Sequence, residues 1–544
     1  MASQRHRLAS DREKQFLGFD FSTQQLKAVV TDNNLNIIHV ATVQFDADFP
    51  HHRNHPSRPI HGGVHRFADG KTVVAPAIMW VEALDMVLNR LKEGGVDFSK
   101  ICALSGAGQQ HGSVYWARGA EEKLKGLKAD AALHLQLEDC FALEYSPVWM
   151  DSSTEVQCKE LEASVGGPNT LAEITGSRAF HRFTGPQIAK IRKINEEAYG
   201  MTERISLVSS FACSLFLGKY APIDFADGSG MNLLNIRKRE WDERCLKACA
   251  DNLLERLGEP VPSNTVLGKV HPYFTSRYDF SADCSVVAFT GDNPASLAGL
   301  NLHKEDIAIS LGTSDTVFAW LMEPIVADGH VFCNPLQTDA YMALLCFKNG
   351  SLTRERVRQQ CECPTWEEFN DLLLSTPPGN NGNVGFYFDH PEILPNVPAG
   401  DVRFSSDDKQ VDTFDAAIEA RAVIEHQCLA KRAYLERMHK YSNGRVFVTG
   451  GASINTTILQ VLADVFGSQV YTQNVPHSAA LGSAYRAKHG IMGNVSFHEV
   501  CKHAMNFILA AEPRLDVKQI YDNMLKRYEL LEQKLIQDEG HNLE

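Results

Sequence analysis

Nowhere in the chain do ~18 apolar residues run together, the length that a membrane-crossing helix needs. The best apolar stretch, LVSSFACSLFLG at 207–218, is broken by serines and reads as a buried helix. The opening residues, MASQRHRLASDREK, lack the apolar core of a secretory signal. Paired CxxC motifs are also missing. The thirteen cysteines are scattered, and Cys361-Glu362-Cys363 has no second half to complete a zinc site. Unpatterned thiols in a long chain suit a reducing compartment, so a cytoplasmic protein is expected. Positive charge is in deficit, with 53 Lys plus Arg against 67 Asp plus Glu and a net charge of −14. That balance disfavours nucleic-acid and anionic-membrane partners, although a local basic pocket for a small anion stays open.

What is present is an ordinary globular composition, 44% hydrophobic and 22% charged. Its 544 residues exceed what one core usually supports, so two large domains are expected. Strand and helix patterns alternate. Phe16 to Asp32 reads as a strand pair, and Trp80, Leu84, Val87, Leu88 and Leu91 mark one face of a helix ending before Gly94. Ile101 to Leu104 is a short buried strand, and the alternation argues for an α/β architecture. The segment APIDFADGSGMNLL, 221–234, reads as a connection to a second lobe, and SVVAFTG, 285–291, as the strand opening a second α/β series. Arg445 to Thr449 is a strand entering Gly450-Gly451, before a helix closed by Gly467. These readings place a disordered tail at 1–14, one lobe at 15–280, a second at 281–510 and a helical segment at 511–544. His51 to Gly70 carries five histidines. Their irregular spacing and lack of acidic partners favour a loop over a metal site.

Two stretches share one plan: LGFDFSTQQLKAVVTD at 17–32 and IAISLGTSDTVFAWL at 307–321. Each is a strand, a tight turn of small polar residues and a returning strand. Backbone N–H groups in such turns suit phosphate, and a plain hairpin is the alternative. Gly450-Gly451-Ala452-Ser453 is a third such turn, or simply a helix entry capped by Ser453 or Asn455. Asp20 interrupts an apolar strand, which suits either a metal beside phosphate or a carboxylate bonding its own hairpin. Asp292-Asn293 follows a strand directly, where ligands bind in α/β domains. His111, flanked by Gly108 and Gly112, is open to a hydroxylated ligand or is a satisfied loop residue. Arg182, between Phe180 and Phe183, needs a partner, structural or ligand.

In order, GFDFSTQQLK, LSGAGQQHGS, PVWMDSST, TGSRAFHRFTG, DGSGMNLL, VVAFTGDNPASLAG, SLGTSDT, GFYF, TGGAS and SAALGSAYRA resemble the FGGY family of carbohydrate kinases, from Gly18 to about Ala487. The resemblance implies an α/β, two-lobed, actin-like (ribonuclease H-like) ATPase fold with a cleft between a sugar-binding first lobe and a nucleotide-binding second lobe. It implies ATP, Mg²⁺ and a sugar, D-xylulose, as partners; separately, a monomer or weak homodimer is expected. Asp292 resembles the family's catalytic base, and His111, Arg182, Asp292 and Asn293 its sugar-binding residues. Asp20 resembles the residue that helps place Mg²⁺. Thr313, Trp366, Gly450, Gly451, Ala452 and Asn455 resemble the ATP-binding set. Two positions depart from the broad pattern. Phe21 stands where the superfamily has glycine, and Arg192 occupies the tryptophan site of a lysine–tryptophan signature. A kinase for another ketose or polyol, such as ribulose or glycerol, and a non-catalytic sugar sensor are the alternatives; a sensor would lose Asp20 or Asp292, and both are present.

Overall fold

The computed structural model describes residues 14–438, 444–473, 477–504 and 507–541, so the expected tail lies outside the described residues but for Lys14. The described chain forms two compact units. The first takes in the described residues of 1–301, 331–341 and 477–505; the second takes in 302–330, 342–476 and 506–544.

The first unit is built on a mixed sheet. Its strands are β1 (Gln15–Phe21), β2 (Gln25–Thr31), β3 (Ile37–Gln44), β4 (Ile101–Gly108), β5 (Val266–Lys269), β6 (Ser285–Val287) and β7 (Thr290–Gly291). The order is β5-β6-β4-β1-β2-β3, with β7 also pairing β4. β1 is central and covered on both faces: Leu17, Phe19 and Phe21 are fully buried on one, and Phe16 is buried on the other. Phe21 therefore fills core space; Phe19 lies 6.3 Å from it, ring to ring. Helix α1 (Ala77–Glu93) buries Trp80, Leu84, Val87, Leu88 and Leu91, the face predicted from their spacing. Helix α2 (Val208–Leu217) is buried along its whole length, and its serines survive there by bonding backbone, as Ser214 does to the Ser210 carbonyl at 2.7 Å.

Three expectations fail in this unit. SVVAFTG does not open a second series: β6 and β7 run parallel to β4, and α3 (Asp292–Gly299) follows them within the first unit. The stretch 221–234 connects to no second lobe; it lies within the first unit, where Asp224, Asp227, Ser229 and Asn232 are fully buried. The helix Ser478–Ile491 returns to pack on β1, so closely that a Cβ on Gly18 would lie 2.0 Å from the Ala480 carbonyl oxygen. The boundaries expected at 280 and 510 therefore do not match the compact units, which divide at Asn301 and take the chain from 477 back into the first.

The second unit keeps the expected hairpin. β8 (Ile307–Leu311) pairs antiparallel with β9 (Asp315–Leu321), leaving a three-residue turn, and parallel with β10 (Val446–Thr449). Helices α4 (Ser351–Gln360), α5 (Trp366–Leu374), α6 (Ala416–Met438) and α7 (Thr456–Phe466) complete the surroundings of that turn. α7 ends at Gly467, left-handed at φ 63° as its position predicts. The expected C-terminal helical segment is a helix over Lys518–His541, whose Tyr521 hydroxyl donates to Glu425 Oε1 of α6 at 2.7 Å. Among the described residues, no helix is long and apolar enough to cross a membrane.

Candidate functional site

In the first unit, three parallel strands end at one edge. Phe21 of β1 pairs with Gly108 of β4, and Gly108 with Gly291 of β7. Asp20, the Gln109–His111 segment and Asp292 thus leave the sheet side by side, where ligands of open α/β sheets bind. Asp292 starts α3 and accepts from the N–H groups of Asn293 (2.9 Å) and Gln110 (3.3 Å). Asn293 Nδ2 donates to Gln110 Oε1 at 2.7 Å, fixing the amide between the two segments.

Burial, and next the nearby charge of Asp20, push the Asp292 carboxyl up to about 7, against the N–H groups that favour its ionised form. Asp20 is itself raised by burial, with the Ser22 hydroxyl (2.7 Å) and Lys27 opposing. Its Oδ1 is buried with no hydrogen-bond partner among the described residues. Such an orphaned, desolvated carboxylate oxygen fits a hard cation that prefers oxygen ligands.

Behind the edge sits a second carboxylate pair. Asp227 accepts from Ser209 Oγ (2.5 Å) and Gln110 Nε2 (3.4 Å), and burial followed by Asp224 raises it well above the usual carboxylate range. Asp224 accepts from Thr290 Oγ1 at 2.7 Å and so grips β7 two residues before Asp292. Beside them, His111 adopts φ 69° and donates from Nδ1 to the Gly230 carbonyl at 2.9 Å. That bond sets the tautomer and makes Nε2 an acceptor. Its ring packs 4.4 Å from Phe183, while the Arg182 guanidinium lies 5.4 Å over Trp149. Trp149 Nε1 donates to Thr23 Oγ1, in the β1–β2 turn, at 2.8 Å.

The second unit carries a pocket of about 700 Å³, lined by Thr313, Arg354, Trp366, Gly451, Ala452 and Asn455 among others. The backbone N–H groups of Gly312, Thr313 and Ser314 make no turn or loop hydrogen bond among the described residues, while the Gly312 carbonyl accepts from Ser351 at 2.8 Å. The turn is thus tied down by its oxygens and presents its donors. Behind it Asp315 is fully buried against Arg354 and Lys431, each at 2.8 Å. Burial would raise that carboxyl, but the two cations outweigh it and hold it below its ordinary value. Asn455 serves both readings, since it lines the pocket and caps α7 by accepting from Thr457 and Ile458 N–H, each at 3.1 Å. Gly450 lies outside the lining. At φ 87° its Cβ would come 2.5 Å from the Leu311 carbonyl oxygen, so it seats the turn against β8. Trp366 opens α5, partly exposed, with its ring 5.5 Å beneath the Arg358 guanidinium.

The curated xylulose kinase of Rattus norvegicus is 52% identical over 525 residues, covering 96% of this chain and 97% of its own. The chain belongs to the FGGY family of carbohydrate kinases. The family's N-terminal domain matches residues 138–299 and its C-terminal domain residues 307–491. Xylulose kinase 2 of Arabidopsis thaliana is 48% identical over 496 residues, covering 88% of each chain. The solved structure of a xylulose kinase from Lactobacillus acidophilus shares the fold at a TM-score of 0.79 and 16% identity, over 97% of this chain and 99% of that one. Fold and chemistry follow from membership: a two-lobed actin-like α/β fold and an ATP-dependent carbohydrate kinase.

The structure gathers Asp20, His111, Asp292 and Asn293 at or beside one sheet edge of the first unit, with Arg182 reaching it through Trp149 and Thr23. It gathers Thr313, Trp366, Gly451, Ala452 and Asn455 in the pocket of the second. Sequence reasoning did not single out Gln110, Asp227 and Trp149 in the first unit, nor Arg354, Glu355 and Asn370, which also line the pocket of the second. Gln110 had a signal, standing beside His111 after the same strand. Asp227 and Arg354 had none, because what marks them is burial beside another charge.

Proposed function

We propose that this chain phosphorylates D-xylulose with ATP, giving D-xylulose 5-phosphate and ADP. The observation that carries the reading is a partly buried carboxyl, Asp292, raised to about 7 at a shared sheet edge, in a chain 52% identical to a xylulose kinase over nearly its full length. A base poised near neutrality suits abstraction of a hydroxyl proton. Asp292 takes the proton of the sugar's terminal hydroxyl as that oxygen bonds to the γ-phosphorus. The bond to the β-phosphate's bridging oxygen breaks, and ADP leaves with its electrons. Asn293 and Gln110 hold Asp292 in place, and Asn293, His111 and Arg182 bind sugar hydroxyls. Thr313 and the N–H groups of its turn hold phosphates, Gly451, Ala452 and Asn455 hold the nucleoside, Trp366 flanks it, and Gly450 keeps that turn seated. Asp20 would hold Mg²⁺, which when bound offsets triphosphate charge. The thirteen cysteines are all free, which supports a cytoplasmic location; a monomer or weak homodimer is the proposed state.

The test is ATP consumption across pentuloses, polyols and hexoses, with product mass determined. D-xylulose should give the highest kcat/KM and a product heavier by one phosphoryl group. Faster turnover of D-ribulose or glycerol would overturn the proposed substrate.

A further inference from the structure

The histidine-rich stretch expected to be a plain loop acquires an acidic partner in the fold. His51 and His52 lie on a one-turn helix, Pro50–Arg53, and Glu82 on α1, thirty residues away. Both imidazoles meet one carboxylate oxygen: His51 Nε2 is 2.9 Å and His52 Nε2 3.3 Å from Glu82 Oε2. The three ligand atoms all lie within 4.8 Å of one another. Tetrahedral ligands at ~2.0–2.1 Å from zinc are roughly 3.3–3.4 Å apart, so the two His–Glu separations need only small adjustment. Glu82 and His52 are mostly shielded, at 21% and 17% side-chain exposure, whereas His51 at 55% leaves the site reachable from solvent. Phe49 packs edge-on against both rings, at 5.8 and 6.0 Å, which restricts their rotation. A further imidazole, His134, has its Nδ1 buried without a partner among the described residues.

We propose that His51, His52 and Glu82 form a site for a divalent transition-metal ion, best matched by Zn²⁺, with water completing the coordination. Two imidazoles and one carboxylate are a borderline ligand set. Mg²⁺ and Ca²⁺ prefer oxygen alone, so the site is chemically distinct from that of Asp20. A bound ion ties the 45–64 segment to α1. That segment abuts the β1–β2 turn: Phe45 N–H donates to the Gln24 carbonyl at 3.0 Å, and Asp46 holds the N–H groups of Gly62 and Gly63 at 2.7 and 3.1 Å. Metal binding therefore stiffens the wall behind the hairpin and raises the melting temperature by mass action.

The test is equilibrium dialysis of the chelator-treated full chain against Zn²⁺, with metal quantified by elemental analysis. One Zn²⁺ per chain is expected in wild type and in His55→Asn, a control in the same stretch. Glu82→Gln and His51→Ala should each weaken binding by at least ~10-fold, the loss that disturbing even an outer partner typically causes. Co²⁺ in place of Zn²⁺ should give the intense visible absorption of a tetrahedral site. Each variant is melted without metal first. If Glu82→Gln does not fold, His51→Ala, on an exposed turn, carries the decision alone. Zn²⁺ binding unchanged in the folded variants, or lowered equally by His55→Asn, would mean adventitious capture by surface histidines and overturn the site.

Discussion

The two candidate sites work by opposite means. In the first unit the groups on offer are side chains, set at strand ends and tuned by burial: Asp292 is pushed up to about 7, and Asp20 is left with an orphaned oxygen. In the second unit the pocket is lined in part by a turn whose N–H groups make no turn or loop bond among the described residues, while its carbonyls and its flanking Asp315 are held from behind. The difference suits the ligand proposed for each. A sugar hydroxyl must lose a proton, which requires a titratable group near neutrality. A triphosphate must be held without losing anything, which fixed dipoles accomplish without desolvating a cation.

The sharpest break of this comparison is Asp292→Asn. It removes the proton acceptor at constant shape, so kcat should fall by ~10²–10⁴-fold while calorimetric affinities for D-xylulose and ATP persist. Retention of turnover within a few-fold of wild type, with chemistry rate-limiting, would remove Asp292 from its role. Arg354→Met tests the other unit. It leaves Asp315 buried with Lys431 alone, at a cost of about 3 kcal/mol. The turn should loosen, raising KM for ATP well beyond any change in KM for the sugar; parallel changes in both would show that the network supports folding only.

The third prediction concerns pH. A raised carboxyl stays protonated to higher pH, so the base is lost as pH falls through about 7. Plots of kcat/KM for D-xylulose should be level above that value and drop about tenfold per unit below it. A limb near pH 4 instead would mean that the Asp292 carboxyl keeps its ordinary acidity and is not tuned toward neutrality. The smallest effect is expected from His111→Ala, which deletes one group proposed to hydrogen-bond the sugar. Calorimetry should show about tenfold weaker D-xylulose binding, in line with about 1–1.5 kcal/mol for one hydrogen bond, and unchanged ATP binding. Equal loss of both affinities would point to a general defect.

Both hairpins, α1, α2, β10 and α7 were legible in the sequence, because periodicity, caps and turn residues act within a few positions. The unit boundary was not. β6 and β7 read as the start of something new because their partner β4 lies some 180 residues earlier, and parallel pairing leaves no local mark. The helix Ser478–Ile491 likewise carries an ordinary amphipathic pattern, and only the missing side chain of Gly18 admits it to β1. The buried stretch 221–234 was misread for a related reason. Asp, Ser and Asn usually signal exposed turns, yet here each finds a buried partner.

By itself the sequence determined the α/β class, the strand–turn–strand plan used twice, and the family that its ordered motifs resemble, since these rest on local chemistry and on residue identity. The tertiary structure alone decided that Asp292 is tuned toward neutrality, that Asp315 is held charged between Arg354 and Lys431, and that two loop histidines share a carboxylate with Glu82. Desolvation and charge pairing depend on which groups meet in space. A carboxylate has no perturbed acidity until the fold removes its water and supplies its neighbours.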